Sequence, residues 1–223
     1  MTGGKALALE SWCTGAGRQF TRFDYQGHGA SSGKFKDGTI GEWKSDAVAV
    51  LDEVTSGPQV VVGSSMGGWI AFLLAVARTE RIAGIVGIAP AVDFTQALLW
   101  PRMTDEARRQ IEEEGVWYRP SEYDPEPYPI TRTLIEEGRN NLLMPGPIPF
   151  HGPVRLIHGM LDEAVPWEHS LKIADAVASD DVELSFIKDG EHRLSRVSDL
   201  ERLKQVVLSL AVNYTKRAAA NSE

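Results

Sequence analysis

The apolar run Gln59-Val60-Val61-Val62 leads straight into Gly63-Ser64-Ser65-Met66-Gly67-Gly68-Trp69, and an apolar helical pattern starts at Met66. A strand and a helix joined without a loop must reverse within about one residue. The residue at that turn is forced into a strained backbone conformation, and its side chain projects beyond the C-terminal end of the strand. Side chains flanking the turn would collide, so glycines are expected there. Gly63-x-Ser65-x-Gly67 meets the requirement with Ser65 at the centre, whereas Ser64 lacks the spacing. A continuous apolar strand of this kind is expected to be buried on both faces of a parallel sheet.

The rest of the chain repeats the theme. Residues 5–17 read as a helix closed by glycine, 19–25 as a strand, and 39–54 as an amphipathic helix with Ile40, Trp43, Ala47, Val50, Leu51 and Val54 at helical spacing. A helix over 66–78 is followed by a strand over 82–91. Further on come a strand at 154–160, a helix at 166–179 with Pro166 in its first turn, a strand at 182–190 and a helix from Asp199, ending in a polar tail after Lys216. Strands and helices in alternation specify an α/β fold, a mostly parallel central sheet flanked by helices.

Residues 95–149 interrupt the alternation. They are rich in proline and large side chains, and hold ten Asp/Glu against six Arg, a net of −4 that is half of the chain's −8. Helices are expected at 104–114, capped by Thr104, and at 131–137. The segment reads as an inserted lid over a pocket, with 1–94 and 150–223 forming the core. Trp69, Trp100, Met103, Trp117 and Trp167 are the expected lining of a largely apolar acyl pocket. For Trp43 and Trp69 an ordinary core position is an equally good reading.

A serine hydroxyl needs a base. Of the five histidines, His28 lies in a Gly-His-Gly loop and reads as structural, and His158 lies inside a strand and reads as a core residue with its hydrogen bonds satisfied. His151 and His169 have no supporting pattern. His192, in Asp189-Gly190-Glu191-His192-Arg193, comes just after the last strand, at the sheet edge toward which Ser65 must point. Asp162 follows the strand at 154–160, and the turn into Val165-Pro166 favours it over Glu163 as the acid that orients the imidazole. Ser65, Asp162 and His192 are the expected catalytic set, with the Met66 N–H at a helix N-terminus as an oxyanion donor.

With these residues in place, FDYQGHGASSG (23–33), GSSMGGW (63–69), HGMLDEAVPW (158–167) and DGEHRLS (189–195) resemble the signatures of the α/β-hydrolase superfamily. GEWKSDAVAVLDEV (41–54) and EEEGVWYRPSEY (112–123) are similar to the abhydrolase-domain group described as palmitoyl-protein thioesterases and acyl-glucuronide esterases, and as mitochondrial. The resemblance implies a serine hydrolase of carboxylic esters or thioesters, working through an acyl-enzyme without metal or organic cofactor. It also implies a second oxyanion N–H from a loop preceding residue 1, and a strand between 19–25 and 59–63. Neither has a counterpart in this sequence, so Met1 is expected to be internal to a longer natural chain. A prolyl-oligopeptidase-like peptidase and a non-catalytic hydrolase-like binding protein are the competing readings.

Composition narrows the partners. A net charge of −8 without a basic cluster argues against nucleic acid, and one cysteine, Cys13, excludes an internal disulfide. No apolar run approaches the ~20 residues of a membrane span, and MTGGKALALESWC is not a signal peptide. The expected partner is a small ester or thioester, or an acylated protein. The expected compartment is the cytoplasm, or the mitochondrion where an upstream segment directs the chain there.

Overall fold

The computed structural model describes residues 3–120 and 126–220, so the 121–123 end of the EEEGVWYRPSEY motif lies outside the described residues. The first part of the chain runs α1 (Gly4–Gly15), α2 (Ile40–Val54), β1 (Gln59–Ser64), α3 (Met66–Ala77) and β2 (Ile82–Ile88). After β2 come α4 (Asp105–Glu114), β3 (Val116–Arg119), β4 (Tyr128–Thr131) and α5 (Arg132–Gly138). The chain closes with β5 (Val154–Gly159), α6 (Glu168–Ala176), β6 (Val182–Ile187) and α7 (Val197–Ala220).

Four strands form a parallel sheet in the order β1-β2-β5-β6. Helices cover both faces. On one side α2 and α3 pack with the 95–149 excursion through Trp43, Trp69, Phe72, Leu134 and Ile135. On the other, Leu9 of α1 and Leu203 and Leu210 of α7 close over Val86, Ile88 and Ile157. Trp69, Ile70 and Phe72 of α3 are almost wholly buried, each worth about 1.5–3 kcal/mol of apolar transfer. α2 begins with a capping box in which the Thr39 hydroxyl accepts from Glu42 N–H while the Glu42 carboxylate accepts from Thr39 N–H.

The structure departs from the expected elements in several places. Residues 19–25 form no strand. Alternating side chains give a segment the tendency to be a strand, but a strand exists only where its backbone groups find a ladder partner. This segment is held through side chains instead: Phe20 packs on one core, Phe23 and Tyr25 on the other, and Arg22 pairs with Glu10 of α1 at 2.7 Å. β1 stands at the end of the sheet, so Val60, Val61 and Val62 are half-buried rather than enclosed on both faces. Pro166 precedes α6 instead of entering it, its carbonyl accepting from His169 N–H at 2.8 Å. α7 continues as helix past Lys216 to Ala220, in keeping with the strong helix propensity of its last three alanines.

The excursion contains the two expected helices, α4 and α5, with Thr104 and Thr131 as their N-caps. It also contains a π-helical turn at Thr95–Leu99 and the antiparallel hairpin β3–β4, which the proline-rich sequence conceals. Its return limb is tied to the end of β2 by Asp93. This buried carboxylate, on a residue with φ +56°, accepts from Leu143 N–H and Met144 N–H at 2.8–3.1 Å.

Candidate active site

Ser65 sits between β1 and α3 with φ +54° and ψ −122°, a conformation costly for a residue with a Cβ. Its backbone is clamped on both sides. Ser65 N–H donates to Ile88 O at 2.9 Å, and Ser65 O accepts from Ala91 N–H at 3.0 Å and Gly68 N–H at 2.9 Å. The closeness of strand and helix explains two of the glycines. A Cβ on Gly63 would lie 2.2 Å from Gly67 O, and one on Gly68 would lie 2.6 Å from Pro90 Cβ. Gly67, the last glycine of the motif, has open space where its Cβ would be, so the expectation that it is needed for clearance is corrected: Gly68 has that role.

β5 and β6 deliver the other two groups to the same edge. The strands converge until Gly159 and Gly190 nearly touch: a Cβ on Gly159 would fall 2.3 Å from Gly190 O. Leu161 N–H donates to that same carbonyl at 2.8 Å, which joins the loop of Asp162 to the loop of His192. Ser65 Oγ–H is then positioned to donate to His192 Nε2 at 3.1 Å, and His192 Nδ1–H to donate to Asp162 Oδ2 at 2.7 Å. Asp162 Oδ1 accepts from Ala164 N–H and Val165 N–H at 2.9 and 2.8 Å. Burial pushes the Asp162 carboxyl up. Hydrogen bonds from His158, His192 and Val165 N–H outweigh that effect and hold it well below the usual carboxylate range.

Ser65, Met66 and His192 line a cavity of about 640 Å³ whose wall includes Phe94, Leu99, Met103, Trp117, Tyr128 and Ile130. Arg102, Arg119, Arg193 and Glu163 are its charged residues. Of the expected lining, Met103 and Trp117 border the cavity, and Trp69, Trp100 and Trp167 do not. Trp69 is fully buried, donates Nε1–H to Asn141 O at 3.1 Å and stands edge-on behind Phe94. Trp100 lies against the guanidinium groups of Arg108 and Arg139, 5.8 and 6.0 Å from its ring centre. Trp167 packs on Phe186. Trp43 both fills the core and reaches the cavity wall.

The remaining histidines divide as the sequence suggests, with one addition. His28 packs edge-on against Tyr25, Phe35 and Trp43. His169 donates Nε2–H to Val92 O at 2.8 Å, and burial keeps it below the ordinary histidine value. His158 is wholly buried and satisfied, but one of its partners is Asp162 itself, 3.2 Å away, a contact that the apolar strand around it does not announce. Among the described residues, no group of three or more His, Cys, Asp or Glu is arranged to hold a metal, and no helix is long and apolar enough to cross a membrane.

A parallel sheet with helices on both faces, and a serine on a strained strand-to-helix turn at its C-terminal edge, define an α/β-hydrolase. The chain belongs to the hydrolase family described as serine aminopeptidase, S33 (Hydrolase_4), whose model matches residues 4–125. It is similar to the mitochondrial palmitoyl-protein thioesterase ABHD10 of Mus musculus, at 42% identity over 206 residues, 91% of this chain and 68% of that protein. The Bos taurus protein of the same name is 41% identical over 206 residues, 91% of this chain and 66% of its own. The chain thus spans about two thirds of the length of these curated relatives. Among solved structures, a protein from Agrobacterium vitis S4 superposes with a TM-score of 0.91 at 44% identity, over 94% of this chain and 83% of the other. Mouse alpha/beta hydrolase domain-containing protein 10 gives a TM-score of 0.88 at 40% identity, over 96% and 85%.

Proposed function

We propose that the chain is a serine hydrolase of acyl esters or thioesters, with Ser65 as nucleophile, His192 as base and Asp162 as the group that orients it. The observation carrying this reading is the hydrogen-bonded series Ser65 Oγ–His192–Asp162 opening on a mainly apolar cavity. His192 Nε2 takes the Ser65 proton as Oγ attacks the acyl carbonyl carbon. The oxyanion is met by Met66 N–H, one of the first-turn donors of α3 that has no partner within the helix. His192 passes its proton to the leaving thiolate or alkoxide. Water, deprotonated by the same imidazole, then attacks the acyl-enzyme, and the acid departs as Ser65 regains its proton.

The apolar wall of Phe94, Leu99 and Met103 suits a hydrocarbon acyl chain, and the similarity to proteins named palmitoyl-protein thioesterases supports a thioester leaving group. In this reading residues 95–149 are the lid. Intact mass after fluorophosphonate treatment tests the nucleophile: one adduct on the unsubstituted chain and none on Ser65→Ala is the expected result. Hydrolysis of a palmitoyl-thioester probe should fall about 10⁶-fold in Ser65→Ala. Faster cleavage of a peptide amide than of p-nitrophenyl octanoate would overturn the acyl-ester reading in favour of a peptidase. A folded protein that takes no adduct would favour a binding role instead.

A further inference from the structure

His158 lies on β5 with a wholly buried ring, and every polar atom of that ring has a partner. Its Nε2 faces two acceptors, Val165 O at 3.0 Å and Asp162 Oδ2 at 3.2 Å. Neither a carbonyl nor a carboxylate can donate, so Nε2 must carry a proton. Nδ1 is left to the buried Ser170 hydroxyl, 2.7 Å away on α6. The same carboxylate oxygen that accepts from His192 Nδ1–H therefore accepts from a second, fully shielded imidazole.

We propose that His158 is a positioning residue: its Nε2–H shares Asp162 Oδ2 with His192, fixes the carboxylate's orientation and moderates its pull on the base. The proposal rests on the catalytic reading above for its effect on rate, and on geometry alone for its effect on His192. A donor on Oδ2 withdraws negative charge from the oxygen that stabilises protonated His192. Without it the His192 imidazolium is favoured, and less of the base is available near neutral pH. His169 on α6 is committed to Val92 O, and Lys172 and Arg102 act on His169. Arg193 and Glu163 border the cavity beside His192, and the β6 residue in register with His158 is uncharged Phe186.

The test follows the imidazole rings of the full chain by NMR. In the natural protein the His158 ring should carry its proton on Nε2; a ring without that proton overturns the proposal, whatever the variants do. His158→Met, apolar and unbranched, should move the His192 titration about one unit to higher pH and lower kcat about tenfold with KM nearly unchanged. His158→Gln, whose amide N–H₂ reaches the Nε2 position, should restore both. A folded His158→Met with an unmoved His192 titration, or no recovery in His158→Gln, sinks the idea. Undiminished hydrolysis in Ser65→Ala would instead defeat the catalytic reading, while the His192 titration would still report the sharing.

Discussion

Asp162 accepts four hydrogen bonds on two oxygens and its side chain is fully shielded, so its carboxylate has one orientation available. Asp162→Asn would offer the His192 ring an amide that can donate as well as accept, and the imidazole would lose its fixed tautomer. We expect kcat on an acyl ester to fall about 10⁴-fold with KM little changed, measured beside Ser65→Ala. At this scale the sequence was informative where chemistry demands a residue type at a strand end: Ser65, Asp162 and His192 all stand at such positions. It was uninformative about which side of an element a side chain takes. Trp100 has the character of a pocket residue but lies against two guanidinium groups, and Trp69, for which pocket and core were equally good readings, stands in the core behind Phe94. His158 was legible as buried and not as a partner of the acid, because a strand pattern reports burial and says nothing of a contact made across a turn.

Among the elements, the strand-to-helix turn carries the sharpest prediction. Gly63→Ala and Gly68→Ala place a methyl group against backbone or ring atoms and should destabilise the fold by about 2–4 kcal/mol in urea unfolding, with loss of fluorophosphonate labelling. Gly67→Ala meets nothing and replaces a helical glycine, so it should be neutral or stabilising by up to about 1 kcal/mol. Equal losses at all three positions would contradict this account. The turn itself was readable because β1 and α3 leave no residues for a loop. The strand expected at 19–25 is absent for the opposite reason: its alternation is local, whereas a ladder partner depends on what lies beside it. The β3–β4 hairpin is hidden by the proline-rich sequence around it, although the one proline in its ladder, Pro129, removes a donor without preventing a two-stranded ribbon.

Across the whole molecule, stability should decline in acid. Burial raises the Asp162 carboxyl, but its hydrogen bonds win and leave it depressed; on the surface, Arg196 lowers Asp189. A depressed carboxylate contributes stability in full above its unfolded value, near 4, and loses that contribution as pH falls below it. Asp93 has the opposite sign. Burial raises its carboxyl despite the Met144 and Leu143 N–H groups, so acidification relieves strain there while the other two lose their contributions. The urea midpoint should therefore drop below about pH 4, and less steeply in Asp162→Asn; a midpoint unchanged between pH 6 and 3 would contradict this balance.

The Asp93 clasp has a bearing on how such a protein can change. It joins the 95–149 excursion to the end of β2, while Glu137 accepts from Gly41 N–H of α2 and Arg102 donates to Ala164 O. These fastenings are made to backbone groups and leave Ser65 and His192 untouched. An engineered replacement for this wall of the cavity would therefore have to reproduce these fastenings along with the apolar packing of Ile130, Leu134 and Ile135. A transplanted segment needs two successive N–H groups to meet Asp93 on its return, and it inherits a reaction it did nothing to build.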